Sequence, residues 1–327
     1  MSATTSHARS ARRQPRRQRG VALITAVLIV ALATILAVDV GFNGYLDQRR
    51  SATTFALDQG FEVALGGEAW AADALRLDAM RSAQTDDFTE AWAQPIPPIP
   101  IEGGEFEGQL EDMQGRFNIN SLVMLEGGRF KTDPAAVKRF QQLLRLLNLE
   151  DKWAGYIADW LDSDVEPNFP GAEDPTYTGL TPPYRTANMP VTRTSELLAL
   201  PEFGIERYQK LEPFIAALPL GTKVNLCTAS AQLLDAMIGE QEEYTRMGDT
   251  MIQTRKERCF PSKQEFEAAL SQKGKQDLQE KYDVKSSYFR STVWVTIGTT
   301  QYTLYSLLYR ANQSKLVRPI LRSHGTP

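Results

Sequence analysis

The chain has 327 residues, 42% of them hydrophobic, with 36 Lys and Arg against 40 Asp and Glu. Its only histidines are His7 and His324, one near each end, so no Ser-His or Cys-His pair and no histidine-ligated zinc fits the body of the chain. Gly103-Gly104 and Gly127-Gly128 read as turns rather than phosphate loops, and catalysis has little support.

Charge is unevenly placed. Residues 1–20 carry six arginines (Arg9, Arg12, Arg13, Arg16, Arg17 and Arg19) and no acid; beyond them 30 basic residues face 40 acids, a net charge of −10 that disfavours a polyanionic partner. Gly20 closes the basic stretch, and Val21 to Val38 follows with 18 uncharged residues. As a helix this segment measures ~27 Å, the lower edge of what spans a bilayer. The arginines hold the N-terminus on the cytoplasmic side and place everything after Val38 outside. The apolar run passes into Asp39-Val-Gly-Phe-Asn43 with no small-residue cleavage site, so it stays with the mature protein.

Helical spacing continues through Tyr45, Phe55, Phe61, Leu65, Trp70, Leu75 and Met80, predicting one helix from Val21 to about Arg81, ~90 Å long. Only its first third is apolar all round; the rest is amphipathic and needs a domain to pack on. Gly41, Gly44, Gly60, Gly66 and Gly67 each weaken it by up to about 1 kcal/mol. Pro95, Pro97, Pro98 and Pro100 end the helical region. Gly104 to Met113 alternates as a half-wet strand, and strand signals return only at Tyr288–Ile297 and Thr300–Tyr309, a hairpin around Gly298, with Lys315–Leu321 as an edge. Between them the pattern is helical at Pro134–Leu149, Lys152–Leu161, Thr194–Leu200, Ile205–Leu218, Ser230–Gly239 and Lys263–Lys281. The fold class is therefore α+β, a small antiparallel sheet interrupted by a helical insert. Boundaries fall at 1–20 for the leader, 21–81 for the helix, 82–120 with 221–327 for the sheet domain, and 121–220 for the insert.

The two cysteines, Cys227 and Cys259, lie on the exported side, where disulfides persist. A bridge between them closes a loop of ~32 residues, worth about 3–4 kcal/mol by chain entropy; two free thiols are the alternative. Six carboxylates crowd one loop: Asp159, Asp162, Asp164, Glu166, Glu173 and Asp174. Such a set suits Ca²⁺, which takes six to eight oxygens. Counted from Asp162, acids occupy positions 1, 3, 5 and 12, yet Pro167 stands where an EF-hand needs Gly. A solvated acidic loop is the competing reading, and Asn188 and Glu196 are weaker ligand candidates. Val224–Met237 and Glu196–Tyr208 resemble helix-hairpin-helix segments, but Glu202 and Glu206 would face phosphates there.

A basic leader ending in Gly before an apolar helix resembles the type IV pilins and pseudopilins. That resemblance implies a prepilin peptidase cutting between Gly20 and Val21 and methylating the new N-terminus. Most pilins carry Glu at the fifth mature position, where this chain has Thr25. Glu68-Ala-Trp-Ala71, Glu90 to Gly104, Leu110 to Asn120, Asp159 to Asp164, Glu173 to Tyr177, Pro183 to Asn188 and Lys223 to Ala229 are together similar to the K-type minor pseudopilins of type II secretion systems, which also lack that Glu. The resemblance implies a type IV pilin-like long helix packed on a small antiparallel sheet with a large α-helical domain inserted. It further implies calcium at the acidic loop, I-type and J-type minor pseudopilins as partners, a place at the pseudopilus tip, and a single pass through the bacterial inner membrane with the globular part in the periplasm. A membrane-anchored periplasmic DNA-binding protein is the runner-up, and an anchored hydrolase comes third.

Overall fold

The computed structural model describes residues 19–81, 84–239, 248–311 and 315–326. Residues 1–18 of the expected leader lie outside the described residues. The chain divides into two compact units, 1–58 and 59–327.

In chain order the elements are α1 (Arg19–Met80), β1 (Ile96–Ile101), β2 (Gly104–Asp112), β3 (Phe117–Asn118), β4 (Val123–Glu126), β5 (Arg129–Thr132), α2 (Pro134–Leu146), α3 (Trp153–Leu161), α4 (Asp174–Thr178), α5 (Gly204–Leu211), β6 (Ile215–Ala216), β7 (Val224–Asn225), α6 (Ala231–Ile238), α7 (Gly248–Thr254), α8 (Lys263–Ala269), α9 (Gln272–Asp277), β8 (Tyr282–Asp283), β9 (Tyr288–Ile297), β10 (Thr300–Arg310) and β11 (Val317–His324).

In the first unit, α1 from Val21 to Val40 exposes every side chain, and its apolar window is long enough to cross a membrane. In the second unit the later turns of α1 lie on an antiparallel sheet ordered β1-β2-β9-β10-β11. Ala64, Ala71 and Leu75 meet Val293, Val295, Leu304, Phe289 and Leu308 there. A Cβ on Gly67 would stand 2.8 Å from Val293 Cγ1, so helix and strand approach closely at this glycine, whereas one on Gly66 would meet nothing within 4 Å. Glu68 is buried at the same contact. Its carboxylate accepts a hydrogen bond from Ser306 and a bidentate pair from Arg322, both at 2.7 Å.

The chain leaves the sheet after β2 and returns at β9, the strand paired directly beside it. The excursion builds one core from Phe117 to Leu278, including Phe140, Leu143, Trp153, Ile157, Phe203, Leu233 and Phe266. This moves the boundary expected at 221. α6 packs on α2, and the segment from α6 to α9 shares the core of the helical body rather than that of the sheet, because Leu233, Leu234, Met251, Phe266 and Leu278 are buried there. Cys227 and Cys259 are joined as a disulfide inside this body. Where body meets sheet, the buried Asp112 accepts hydrogen bonds from Gln114 N, Asn225 Nδ2, Thr228 Oγ1 and Ser286 Oγ at 2.6–2.8 Å. Asn225 also donates to Asp86 O at 2.9 Å.

Local departures from the expected elements have local causes. The proline run forms β1, an edge strand, where a missing amide donor can face away from the partner. β4 and β5 form an unexpected hairpin around Gly127 and Gly128, both with positive φ, as a two-residue turn requires. The helix expected over Ile205–Leu218 stops at Leu211, since Pro213 forces a 3₁₀ turn and then β6 pairs with β3. Thr194–Ala199 is 3₁₀ rather than α. Lys263–Lys281 breaks at Ser271, whose side chain caps α9.

Candidate metal centre

α3 is almost wholly buried, and its C-terminal end delivers Asp159 and Asp162 into the interior, both at 0% exposure. The following loop folds back over them. Asn168 donates from its backbone N to Asp159 Oδ1 at 3.1 Å and from Nδ2 to Asp159 Oδ1 at 2.8 Å and Asp162 Oδ2 at 3.3 Å. β5 supports the loop from the other side, with Thr132 Oγ1 donating to Asp162 Oδ2 at 2.7 Å and Ser163 N to Phe130 O at 2.9 Å. A Cβ at Gly171 would fall 2.0 Å from Asp159 Oδ2, so only glycine lets the chain pass this carboxylate and bring in Glu173.

The result is a convergence of oxygens. Asp162, Asp164 and Glu173 place a carboxylate oxygen each within 4.8 Å of one another. Buried oxygens Asp162 Oδ1, Glu173 Oε1 and Asn188 Oδ1 have no hydrogen-bond partner. Asn188 reaches the site through its Nδ2, which donates to Asp164 O at 3.4 Å. Burial raises the Glu173 carboxyl to about 7, with the charges of Asp159 and Asp162 adding to the effect. Burial likewise raises Asp159 to about 6, and Asp162 is raised by burial and by Asp164. Orphaned buried carboxylate oxygens facing one another are costly unless a cation sits among them.

A second acidic triad decides what an occupied site looks like here. Asp78, Asp86 and Glu90 also converge within 4.8 Å. There the cation is Arg310, whose Nη1 lies 3.0 Å from Asp78 while Nη2 pairs with Asp86. No Lys or Arg occurs between Asp159 and Tyr184, so the first triad has no such guanidinium from its own loop. Its donors are all oxygens, the set hard cations take, and the residues fit calcium.

Of the six carboxylates expected to bind metal, the structure brings three together and sets Asp159 beside them. Glu166 is exposed and gives only its backbone N–H, to Asp164 Oδ1 at 2.9 Å. Asp174 accepts from Thr186 N and Oγ1 at 3.1 and 3.0 Å and faces Arg185. Glu196 is committed elsewhere, accepting from Thr192 N and Arg193 N at 2.8 and 3.1 Å. Asn188, 24 residues beyond Asp164, comes close only through the fold. The helix-hairpin-helix lookalike gains no support, since Arg207 spends its guanidinium on Glu150 at 2.7 Å.

Helix on antiparallel sheet, with a helical body spliced between adjacent strands, is the architecture of a pilin-like protein carrying a large insert. The family model for type II secretion system (T2SS) protein K matches residues 115–220. Type II secretion system protein K of Pseudomonas aeruginosa is 35% identical over 321 residues, covering 95% of this chain and 94% of that one. The Aeromonas hydrophila protein of the same name is 30% identical over 92% and 96%. The chain belongs to the type II secretion system protein K family. A structure from the GspK-GspI-GspJ complex of enterotoxigenic Escherichia coli shares the fold, with a TM-score of 0.73 at 22% identity over 85% of this chain and 100% of that one.

Proposed function

We propose that this chain is a minor pseudopilin seated at the tip of the type II secretion pseudopilus. It is a non-enzymatic assembly subunit, held in the inner membrane by α1, with its globular part in the periplasm and with I-type and J-type minor pseudopilins as partners. A prepilin peptidase removes the leader between Gly20 and Val21 and methylates the new terminus. The observation that carries the tip position is Thr25. Its hydroxyl donates to the backbone of its own helix, with Val21 O and Ala22 O at 3.1 and 3.0 Å. A carboxylate in an apolar segment is costly unless a neighbour pairs with it. A threonine satisfied within its own helix makes no such demand, so nothing needs to stack above this subunit.

Calcium belongs at Asp162, Asp164 and Glu173, with Asn188 beside them, and the support is the set of orphaned buried oxygens. When bound, the ion supplies the positive charge that this loop lacks and joins α3, the loop and the segment around Asn188. The function is tested by coexpressing the full chain with the I-type and J-type pseudopilins of its own system and purifying by a tag on one of them. A stable complex of all three is expected. Recovery of I and J without this chain sinks the proposal.

A further inference from the structure

The β4–β5 hairpin borders a slot of about 420 Å³, a volume in the range of built ligand sites. One wall is Val123, Met124 and Leu125, three consecutive residues of β4, and the opposite wall is the run from Leu220 to Val224. Successive side chains of a strand point to opposite faces, so a cavity that touches three in a row runs along an edge and not over a face. No residue of β5 lines it, and β4 pairs with β5 alone. The slot therefore follows the free edge of β4. Buried Phe117, Met237 and Leu278 give it an apolar lining, while Met124 and Leu125 stand at its lip, 43% and 62% exposed. An exposed apolar strand edge is a template for pairing with another chain.

Charge narrows what fits. Lys281 in the slot is already paired with Asp133 at 2.8 Å, and Lys223 lies 3.8 Å from Asp283. Arg139, which α2 points into the same slot, is different: among the described residues nothing hydrogen-bonds or pairs with its guanidinium. Burial holds its pKa below the ordinary arginine value, and the attraction of Asp133 and Asp277 does not make up for it. Arginine stays charged at any physiological pH, so the slot holds a desolvated cation without a counter-ion.

We infer that this slot is a docking site for an extended peptide segment of a partner protein, added beside β4 as a third strand, with an Asp or Glu side chain on Arg139 and apolar side chains on Phe117, Met237 and Leu278. A carboxylate completes the one unpaired cation and can take its planar fork bidentately. Since Lys223 and Lys281 keep their own acids and Glu280 is exposed among the lining residues, the match is to a single carboxylate and not to a polyanion. The free edge selects strand over helix. A helix spends its main-chain groups internally, whereas an extended segment offers them to the edge and sends alternate side chains into the slot.

The test selects peptides from a random heptapeptide library on phage against the full chain in detergent micelles, with Arg139→Gln as the parallel target. Peptides enriched on the wild type should carry an Asp or Glu with an apolar residue two positions away, the spacing that puts both on one face of a strand. Synthesised singly, they should bind the wild type about tenfold or more tighter than Arg139→Gln. Replacing their acid by its amide should weaken them on the wild type and not on the variant. Methylation of their main-chain nitrogens leaves side chains and charge intact and should abolish binding. Leu125→Glu, at an exposed position outside the core, should repel the same peptides and serves if Arg139→Gln does not fold. Equal enrichment on both targets, binding that does not depend on the acid, or binding that survives N-methylation overturns the inference. So does failure of any peptide to enrich on the wild type, including the case where a dimer abolished by Leu125→Glu shows that a second copy of this chain takes the edge instead.

Discussion

At the scale of single residues the two acidic triads make opposite demands. Asp162 is buried with one carboxylate oxygen unpartnered, so without an ion its charge is a burden, and with one it is a ligand. Asp162→Asn keeps the size and one oxygen. The variant should melt no lower than the wild type in chelator, yet lose most of the stabilisation that calcium confers, about 1.4 kcal/mol for each tenfold of ligand above the dissociation constant in the wild type. Magnesium should substitute poorly, since it demands regular octahedral geometry. Melting in chelator, calcium and magnesium measures all three. Glu90 belongs to the other triad. Burial pushes its carboxyl up to about 7, helped by the charges of Asp78 and Asp86. Folding therefore favours its protonated form. That contribution is complete below about pH 4.5 and is lost as pH rises through about 7. Glu90→Gln should match the wild type near pH 4 and exceed it at pH 8, by about 1 kcal/mol after allowance for solvent screening, or a few degrees in melting temperature. A difference independent of pH would show that the carboxyl does not titrate with folding.

The density of acids is visible in the sequence, but which oxygens converge is not. Glu173 enters because Gly171 lets the backbone pass Asp159, and Asn188 arrives after a further helix and turn. Spacing along the chain gives Glu166 and Asp174 the same standing as Glu173. Only burial separates them, and burial is decided by how the loop closes against β5.

At the scale of elements, adjacent glycines in α1 give a test with opposite signs. Gly66 faces open space, so Gly66→Ala should stabilise the isolated protein by up to about 1 kcal/mol through helix propensity. Gly67 faces Val293, a stiff β-branched side chain, at a distance no real Cβ keeps; Gly67→Ala must displace strand β9 and should destabilise despite the same gain in propensity. Chemical denaturation of the two variants settles the comparison, and equal effects would mean that helix and sheet are not closely packed there. From sequence both residues look like flaws in a helix. The long helix itself, β2 and the β9–β10 hairpin were legible because their periodicities run for many residues. The β4–β5 hairpin was not, being four residues a side, and neither was β1, where proline suppresses the strand signal that its edge position allows.

At the scale of the whole molecule, the leader and membrane segment make a prediction that owes nothing to the metal. If processing follows Gly20, the mature protein should begin Val-Ala-Leu-Ile-Thr, and replacing Gly20 with a bulky residue should leave a precursor some 20 residues longer, as ~2 kDa on a gel. A mature terminus downstream of Val38 would remove the anchor and the pilin reading with it. Domain extent was the least legible property at this scale. The sequence shows where strands resume, at Tyr288, but gives no sign that α6 to α9 remain with the helical body, because amphipathic helices look alike whichever core they cover.

The splice between β2 and β9 has a mechanical consequence. Two covalent connections leave side by side from neighbouring strands, and the buried Asp112 knot ties Asn225, Thr228 and Ser286 together at their base. A single linker would allow the body to swivel; a double hinge clamped by a buried carboxylate resists torsion. Thrust or twist applied to the sheet therefore reaches the helical body with little slack, as in a key whose bow and blade turn together.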